Sequence, residues 1–399
     1  VDLADPGLYS DGEPHAIWQL LRERDPVHWQ PVAGRGGFWA ITRYAEAQRV
    51  MTDHATFSST GGVFLNLLGR SEPASGEQFA STDPPRHGPI RAPLQHELTA
   101  AAVGRHVESL RRDIAAMFDE GAATASFDFA AAMAPLPLTV LGPLLGIPAA
   151  DWPRLARLVM MSVAEEDPDF QLREGPEATL RVARRDLFVY LLDLLLGRRR
   201  APRDDLVGVM TGMTIDGRPM RPGAIVANAY SLLVGAAAAI PHVPAAALIE
   251  MTRLGRYADW ASRPDLVPGV VEEALRWSAP AQHFMRFTTR PTRLGPVDLM
   301  AGEAVVVWLG AVNRDPAMFV APQVFDVRRD PNRHLGFGAG RHYCIGANIA
   351  RLALRIVFQE LFARFASVEL AGEVTHIRST WLAGFKSVPV VVARRPVRR

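Results

Sequence analysis

The chain has 399 residues, 48% of them hydrophobic, with 44 basic against 42 acidic side chains and a net charge of +2. That balance gives no general attraction to nucleic acid despite a pI of about 8.9, and the apolar content is enough for one large core. A single cysteine excludes an intrachain disulfide and a zinc site of the Cys/His spacing kind, and no run of about 18 uninterrupted apolar residues offers a membrane span.

The first residues, Val1-Asp2-Leu3-Ala4-Asp5-Pro6, carry no basic leader, so the expectation is a cytoplasmic protein with no membrane association, in a reducing compartment. Ile17, Leu20 and Leu21 show helical spacing after Pro14, and Val27–Val32 and Phe38–Thr42 flank Gly34-Arg35-Gly36-Gly37 as a hairpin would. Asp83-Pro84-Pro85-Arg86-His87-Gly88-Pro89-Ile90-Arg91 opens a helix at proline and sets His87 and Arg91 on one face by i,i+4 spacing. Long helical patterns cover 101–119, 173–198, 223–254 and 346–365, and strand-like runs lie near 283–308 and 377–393. Glu273 and Arg276, at i,i+3, share a helical face. Lys386 is the only lysine, an arginine bias that points to a GC-rich bacterial source. No Gly/Ser linker, charge block or repeat divides the sequence, so residues 1–399 are expected to form one mainly α domain with small β-sheets.

The most informative segment is Phe337-Gly338-Ala339-Gly340-Arg341-His342-Tyr343-Cys344-Ile345-Gly346, a glycine-punctuated loop running into an apolar helix. A thiolate at a helix start is stabilised by unsatisfied N–H groups and the helix dipole, which suits it to a soft or borderline metal. The glycines let a large flat group approach without Cβ atoms in the way. A lone cysteine is often an inert core thiol, but one axial thiolate is all that heme iron requires.

Through the pattern Phe-Gly-x-Gly-x-His-x-Cys-x-Gly the chain resembles the cytochrome P-450 family of heme-thiolate enzymes. The resemblance extends over most of the chain through Glu273-Ala274-Leu275-Arg276, Asn313-Arg314-Asp315-Pro316, Phe325-Asp326-Val327-Arg328-Arg329 and the Asp83–Arg91 segment. It implies a single domain with heme b between a long distal helix and the helix after the cysteine loop. It further implies that Cys344 is the iron ligand, that His87, Arg91, Arg286 and His342 hold the heme propionates, and that Glu273, Arg276 and Arg329 form a buried structural network. An arginine fork suits a propionate because it gives two parallel hydrogen bonds.

One segment departs from the family. In Tyr230-Ser231-Leu232-Leu233-Val234-Gly235-Ala236-Ala237-Ala238-Ala239-Ile240-Pro241-His242 the positions after Gly235 that usually hold an acid and a threonine are Ala237 and Ala238. Ser231 and His242 lie about 10 Å and 6 Å along the axis from Ala238 on roughly the same face, so either is a candidate substitute. The alternative is a tightly packed, Ala-rich helix with a harmless kink. The resemblance also places Phe64, Leu65, Ala227, Tyr230, Ser231, Val234, Phe284 and Trp381 around an apolar, partly aromatic substrate pocket.

The expected activity is oxidation of a small, largely apolar molecule in specialised metabolism, typically monooxygenation, with distal protons supplied by water or substrate. A second reading keeps the heme but not O₂: nitrene transfer, rearrangement or a peroxide route on a substrate with an N–O or O–O bond. A third, a helper subunit for a glycosyltransferase, is disfavoured by Cys344, which such relatives generally lack. Expected partners are a small-molecule substrate and an acidic ferredoxin with its reductase, docking near Arg341, Arg351 and Arg355; the chain is expected to be a monomer.

Overall fold

Proline stands at the first position of helix α1 (Pro14–Arg24), where its missing N–H breaks no helical bond, and the helix buries Trp18. Strands β1 (Val27–Val32) and β2 (Gly36–Ile41) follow as an antiparallel hairpin in the register Val27↔Ile41 to Val32↔Gly36, so β2 begins two residues before Phe38. Strand β3 (Phe57–Ser58) leads through irregular chain to helix α2 (His87–Glu97), which buries His87, Ile90, Arg91 and Leu94 on one face. The helix expected over 101–119 is two helices, α3 (Ala100–Gly104) and α4 (Val107–Gly121). The break follows Gly104, a weak helix former, and α3 has its own cap in Thr99, whose Oγ1 accepts from Ala102 N at 3.3 Å.

Strand β4 (Ser126–Asp128) precedes helices α5 (Leu136–Leu145), α6 (Trp152–Val163) and α7 (Pro176–Arg200). The pattern over 223–254 also divides, into α8 (Pro222–Ala239) and α9 (His242–Arg253). Pro241 causes the break, since it lacks an N–H and its ring crowds the preceding turn. Helix α10 (Val267–Ser278), strands β5 (His283–Thr288) and β6 (Ala304–Trp308), and helix α11 (Ala347–Arg364) carry the chain to β7 (Phe365–Leu370), β8 (Thr375–His376), β9 (Phe385–Ser387) and β10 (Pro389–Arg394).

In this computed structural model, residues 1–121 and 124–396 are described, without the side chains of Ala237 and Ala238. The larger sheet runs β1-β2-β6-β5-β3, with β6 parallel to β2 and antiparallel to β5 in the register Val305↔Arg286 and Val307↔Phe284. A second sheet runs β7-β10-β4, and β8 pairs with β9. Ala224, Ile225, Val226, Ala229, Leu232 and Leu233 of α8 are buried on several sides, as an apolar helix at the centre of a domain must be. The architecture is mainly α with small sheets, as expected. Among the described residues no helix is long and apolar enough to cross a membrane.

Candidate active site

The cysteine loop is folded by its own backbone. Gly338 and Gly340 adopt φ of 72° and 67°, the left-handed region that favours glycine, and a Cβ on Gly340 would lie 2.7 Å from the carbonyl oxygen of Met51. Cys344 N donates to Phe337 O at 2.8 Å and closes the loop. Gly346 caps α11, and its N–H points at the Cys344 sulfur. The helix-start argument alone would lower the thiol pKa. Burial outweighs the Gly346 amide and the Arg91 and Arg351 charges, and pushes the Cys344 thiol up. A thiolate at this position therefore calls for a further positive charge at the sulfur, which a bound metal ion provides.

Cys344 lines a cavity of ≈ 510 Å³ together with Gly336, Phe337, Gly338 and Gly346. Another part of its wall is one face of α8, where Ala227, Tyr230, Ser231, Val234 and Gly235 recur at intervals of three or four residues. Phe284 lines it from β5, and Phe64 and Trp381, with ring centroids 5.0 Å apart, line it from two connecting segments. Leu65 does not. It is buried, donates its N–H to His283 Nε2 at 3.0 Å, and faces a small neighbouring pocket that includes Asn66 and Glu165.

Strand alternation puts Arg286 on the same face of β5 as Phe284, and Arg91 and His342 also line the cavity. Among the described residues the Arg286 guanidinium bonds only to the carbonyl of Met285, at 2.8 Å, and burial lowers it to about 10. Arg91 donates to the carbonyl of Tyr343 at 2.5 Å and to Gln95 Oε1 at 3.1 Å. The rings of His87 and His342 are 4.6 Å apart, and among the described residues His87 Nε2 and His342 Nδ1 are buried without a partner. His87 itself is not on the cavity wall; burial, with His342 and Arg91 beside it, lowers it to about 4.

The sequence reading missed the acid in this cluster. Burial would raise Asp83, but hydrogen bonds from His342, Ser58 and Ser59 hold its carboxyl well below the usual range. The contacts join segments far apart in the chain, and no local spacing signals them.

Glu273, Arg276 and Arg329 come together away from the cavity, with Arg329 Nε 3.2 Å from Glu273 Oε2. Ala237 and Ala238 fall within α8, and their side chains lie outside the described residues. His242 does not turn toward the cavity. The break at Pro241 directs it to β9, where Nδ1 accepts from Phe385 N at 3.2 Å, and burial lowers it to about 4. Of the two candidate substitutes, only Ser231 reaches the cavity wall.

A family model described as Cytochrome P450 matches residues 251–389. The putative cytochrome P450 126 of Mycobacterium tuberculosis is 35% identical, over 98% of this chain and 97% of that protein. The chain belongs to the cytochrome P450 family. Linalool 8-monooxygenase of Pseudomonas putida is 30% identical over 98% of each chain. The P450 CYP268A2 of Mycobacterium marinum, solved in complex with pseudoionone, shares the fold with a TM-score of 0.90 and 28% identity over 98% of both chains.

Heme b is the cofactor of this P450, and the chemistry of the cavity fits it. A thiol and three glycines line one region, and cationic or donor side chains with spare hydrogen-bonding capacity gather at another, as a flat metal complex carrying carboxylates requires. Two further interactions were not legible in the sequence. Asn228, fully buried on α8, accepts from Phe79 N at 2.9 Å and donates to Glu77 O at 2.8 Å, which fastens the segment before α2 over the cavity. Arg351, expected on an exposed docking face with Arg341 and Arg355, is engaged instead by Glu272 and Tyr343; Arg341 and Arg355 are exposed.

Proposed function

We propose that this P450 is a monooxygenase of a small, largely apolar molecule in specialised metabolism, with Cys344 as axial ligand and His87, Arg91, Arg286 and His342 as propionate partners. The observation that carries the reading is the placement of the Cys344 thiol on the wall of a ≈ 510 Å³, mostly apolar cavity that also receives Arg91, Arg286 and His342. When bound, heme supplies the one-electron and O₂ chemistry that side chains lack. The chain's own residues bind and exclude. Phe64, Phe284, Tyr230, Val234 and Trp381 hold an apolar substrate and keep bulk water out. Linalool and pseudoionone, the compounds attached to two relatives by name, are of this kind.

Alanine at 237 and 238 offers neither an acid nor an alcohol and His242 is bonded to β9, so in this reading ordered water or the substrate carries the protons, with Ser231 as a hydroxyl on that helix face. The same alanines favour a second reading, O₂-independent group transfer or rearrangement. ¹⁸O-labelled O₂ with a turned-over substrate separates the two: label in a hydroxylated or epoxidised product supports monooxygenation, and anaerobic turnover supports the alternative. Retention of Cys344 disfavours the glycosyltransferase-helper reading, and a colourless purified protein would restore it. An acidic ferredoxin is the proposed electron donor, meeting Arg341 and Arg355 in the cytoplasm.

A further inference from the structure

Arg351, on the second turn of α11, reaches both ends of the cysteine loop and one neighbouring helix. Its Nε and Nη2 donate to the two carboxylate oxygens of Glu272 at 2.7 and 2.9 Å, and its Nη1 donates to the Tyr343 hydroxyl at 2.9 Å. Its guanidinium carbon lies 4.6 Å from the centroid of the Phe337 ring. Phe337 supplies the carbonyl that accepts Cys344 N–H, and Tyr343 directly precedes Cys344. Glu272 is further held by His334 Nε2 at 3.2 Å. His334 Nδ1 accepts from Gly336 N at 3.1 Å, so the proton sits on Nε2 and points at the carboxylate. Glu272 also adjoins Glu273, the centre of the buried α10 network.

We propose that Arg351 and Glu272 are positioning residues for the Cys344 sulfur, clamping Phe337 and Tyr343 to α10 so that the loop presents the sulfur at a fixed place on the cavity wall. One planar group makes a bidentate ion pair, a hydroxyl bond and a ring stack at once, which an ammonium cannot do. Part of the arginine side chain is shielded (25% exposed), so the pair is screened less than a surface one. The proposal rests on Cys344 being the axial ligand. It removes Arg351 from the docking arginines.

The test follows the red-shifted Soret band of the reduced, CO-bound holoenzyme during mild heating. R351M and E272Q are expected to lose that band roughly tenfold faster than wild type, and Y343F, which spares the ion pair, roughly threefold faster. R351K should behave like R351M. A role only in the overall stability of the fold would leave the heme reduction potential of Y343F, which changes no charge, at the wild-type value, whereas a sulfur displaced by a loosened loop shifts it. Band loss at the wild-type rate in R351M and Y343F, or an unshifted potential in Y343F, overturns the proposal; if R351M yields no holoenzyme, Y343F and E272Q decide it. A salt dependence of ferredoxin reduction that disappears in R351M while the band decays normally would return Arg351 to docking and also overturn it. Failure of the ligand reading has its own signature: no red-shifted band in wild type, or an unchanged band in C344S.

Discussion

Glu273 and Arg276, one turn apart on α10, are joined by two hydrogen bonds of 2.6 and 2.8 Å, and neither side chain has any exposed surface. Burying two charges is costly unless every remaining donor and acceptor is satisfied. Here Glu273 also accepts from Asp326 N at 2.8 Å and Asn332 Nδ2 at 3.0 Å, while Arg276 Nη1 donates to the carbonyls of Asn313 and Pro322 at 2.9 and 3.0 Å. Removing one partner strands the other. Arg276→Met or Glu273→Gln is therefore expected to cost about 3–5 kcal/mol, read as a fall in the denaturant midpoint. A midpoint within experimental error of wild type would refute the role of this network in stability.

Cys344→Ser keeps the size of the side chain but cannot supply a thiolate. The reduced, CO-bound variant is expected to lack the strongly red-shifted Soret band of thiolate ligation, while its far-ultraviolet circular dichroism stays that of a mainly helical protein. Retention of the band would eliminate Cys344 as the ligand.

Arg286 is buried and, among the described residues, bonds only to the Met285 carbonyl, so most of its donors are free for a carboxylate. Arg286→Met and Arg91→Ala are expected to release heme roughly tenfold faster or more, in line with the loss of one charge-assisted hydrogen bond. Arg199→Ala, on the exposed end of α7, should leave release unchanged. Transfer of heme to an apo-globin scavenger measures the difference, and equal rates in all variants would remove the propionate assignment.

Burial lowers both His242 and His283 to about 4, and each makes its hydrogen bonds as a neutral ring. In the unfolded chain their pKa is about 6.5, so between about pH 4 and 6.5 the unfolded state binds more protons and stability falls as pH falls. Above about pH 6.5 both are neutral in either state and the effect vanishes. Each accounts for a loss of up to about 3 kcal/mol of stability across that range. Thermal denaturation across that range should show a smaller loss in a His242→Gln variant, and an unchanged slope would show that other groups govern the acid transition.

Restoring Glu at 237 and Thr at 238 tests the distal departure from the family. If proton delivery is what the alanines lack, the double variant should couple more of its electrons to product and release less hydrogen peroxide per electron consumed. Identical coupling would mean that the alanines are a packing choice.

What the sequence determined by itself was local. The cysteine loop is a contiguous segment whose glycines must take particular backbone angles, so its shape is written into neighbouring residues, and the Glu273–Arg276 pair needs only one helical turn. The long apolar helices were legible for the same reason, although Gly104 and Pro241 each cut one in two. The tertiary structure decided the rest. Ser59 meets His342 across 283 residues and Glu272 meets Arg351 across 79, distances at which no periodicity carries information. His242 shows the limit most directly. On a continuous helix its spacing from Ala238 would aim it at the cavity, but Pro241 starts a new helix with a new rotation, and only the packing of α9 against β9 fixes that His242 bonds to Phe385. A side chain's direction beyond a helix break depends on what the second helix packs against, which is a property of the assembled core and of no segment alone.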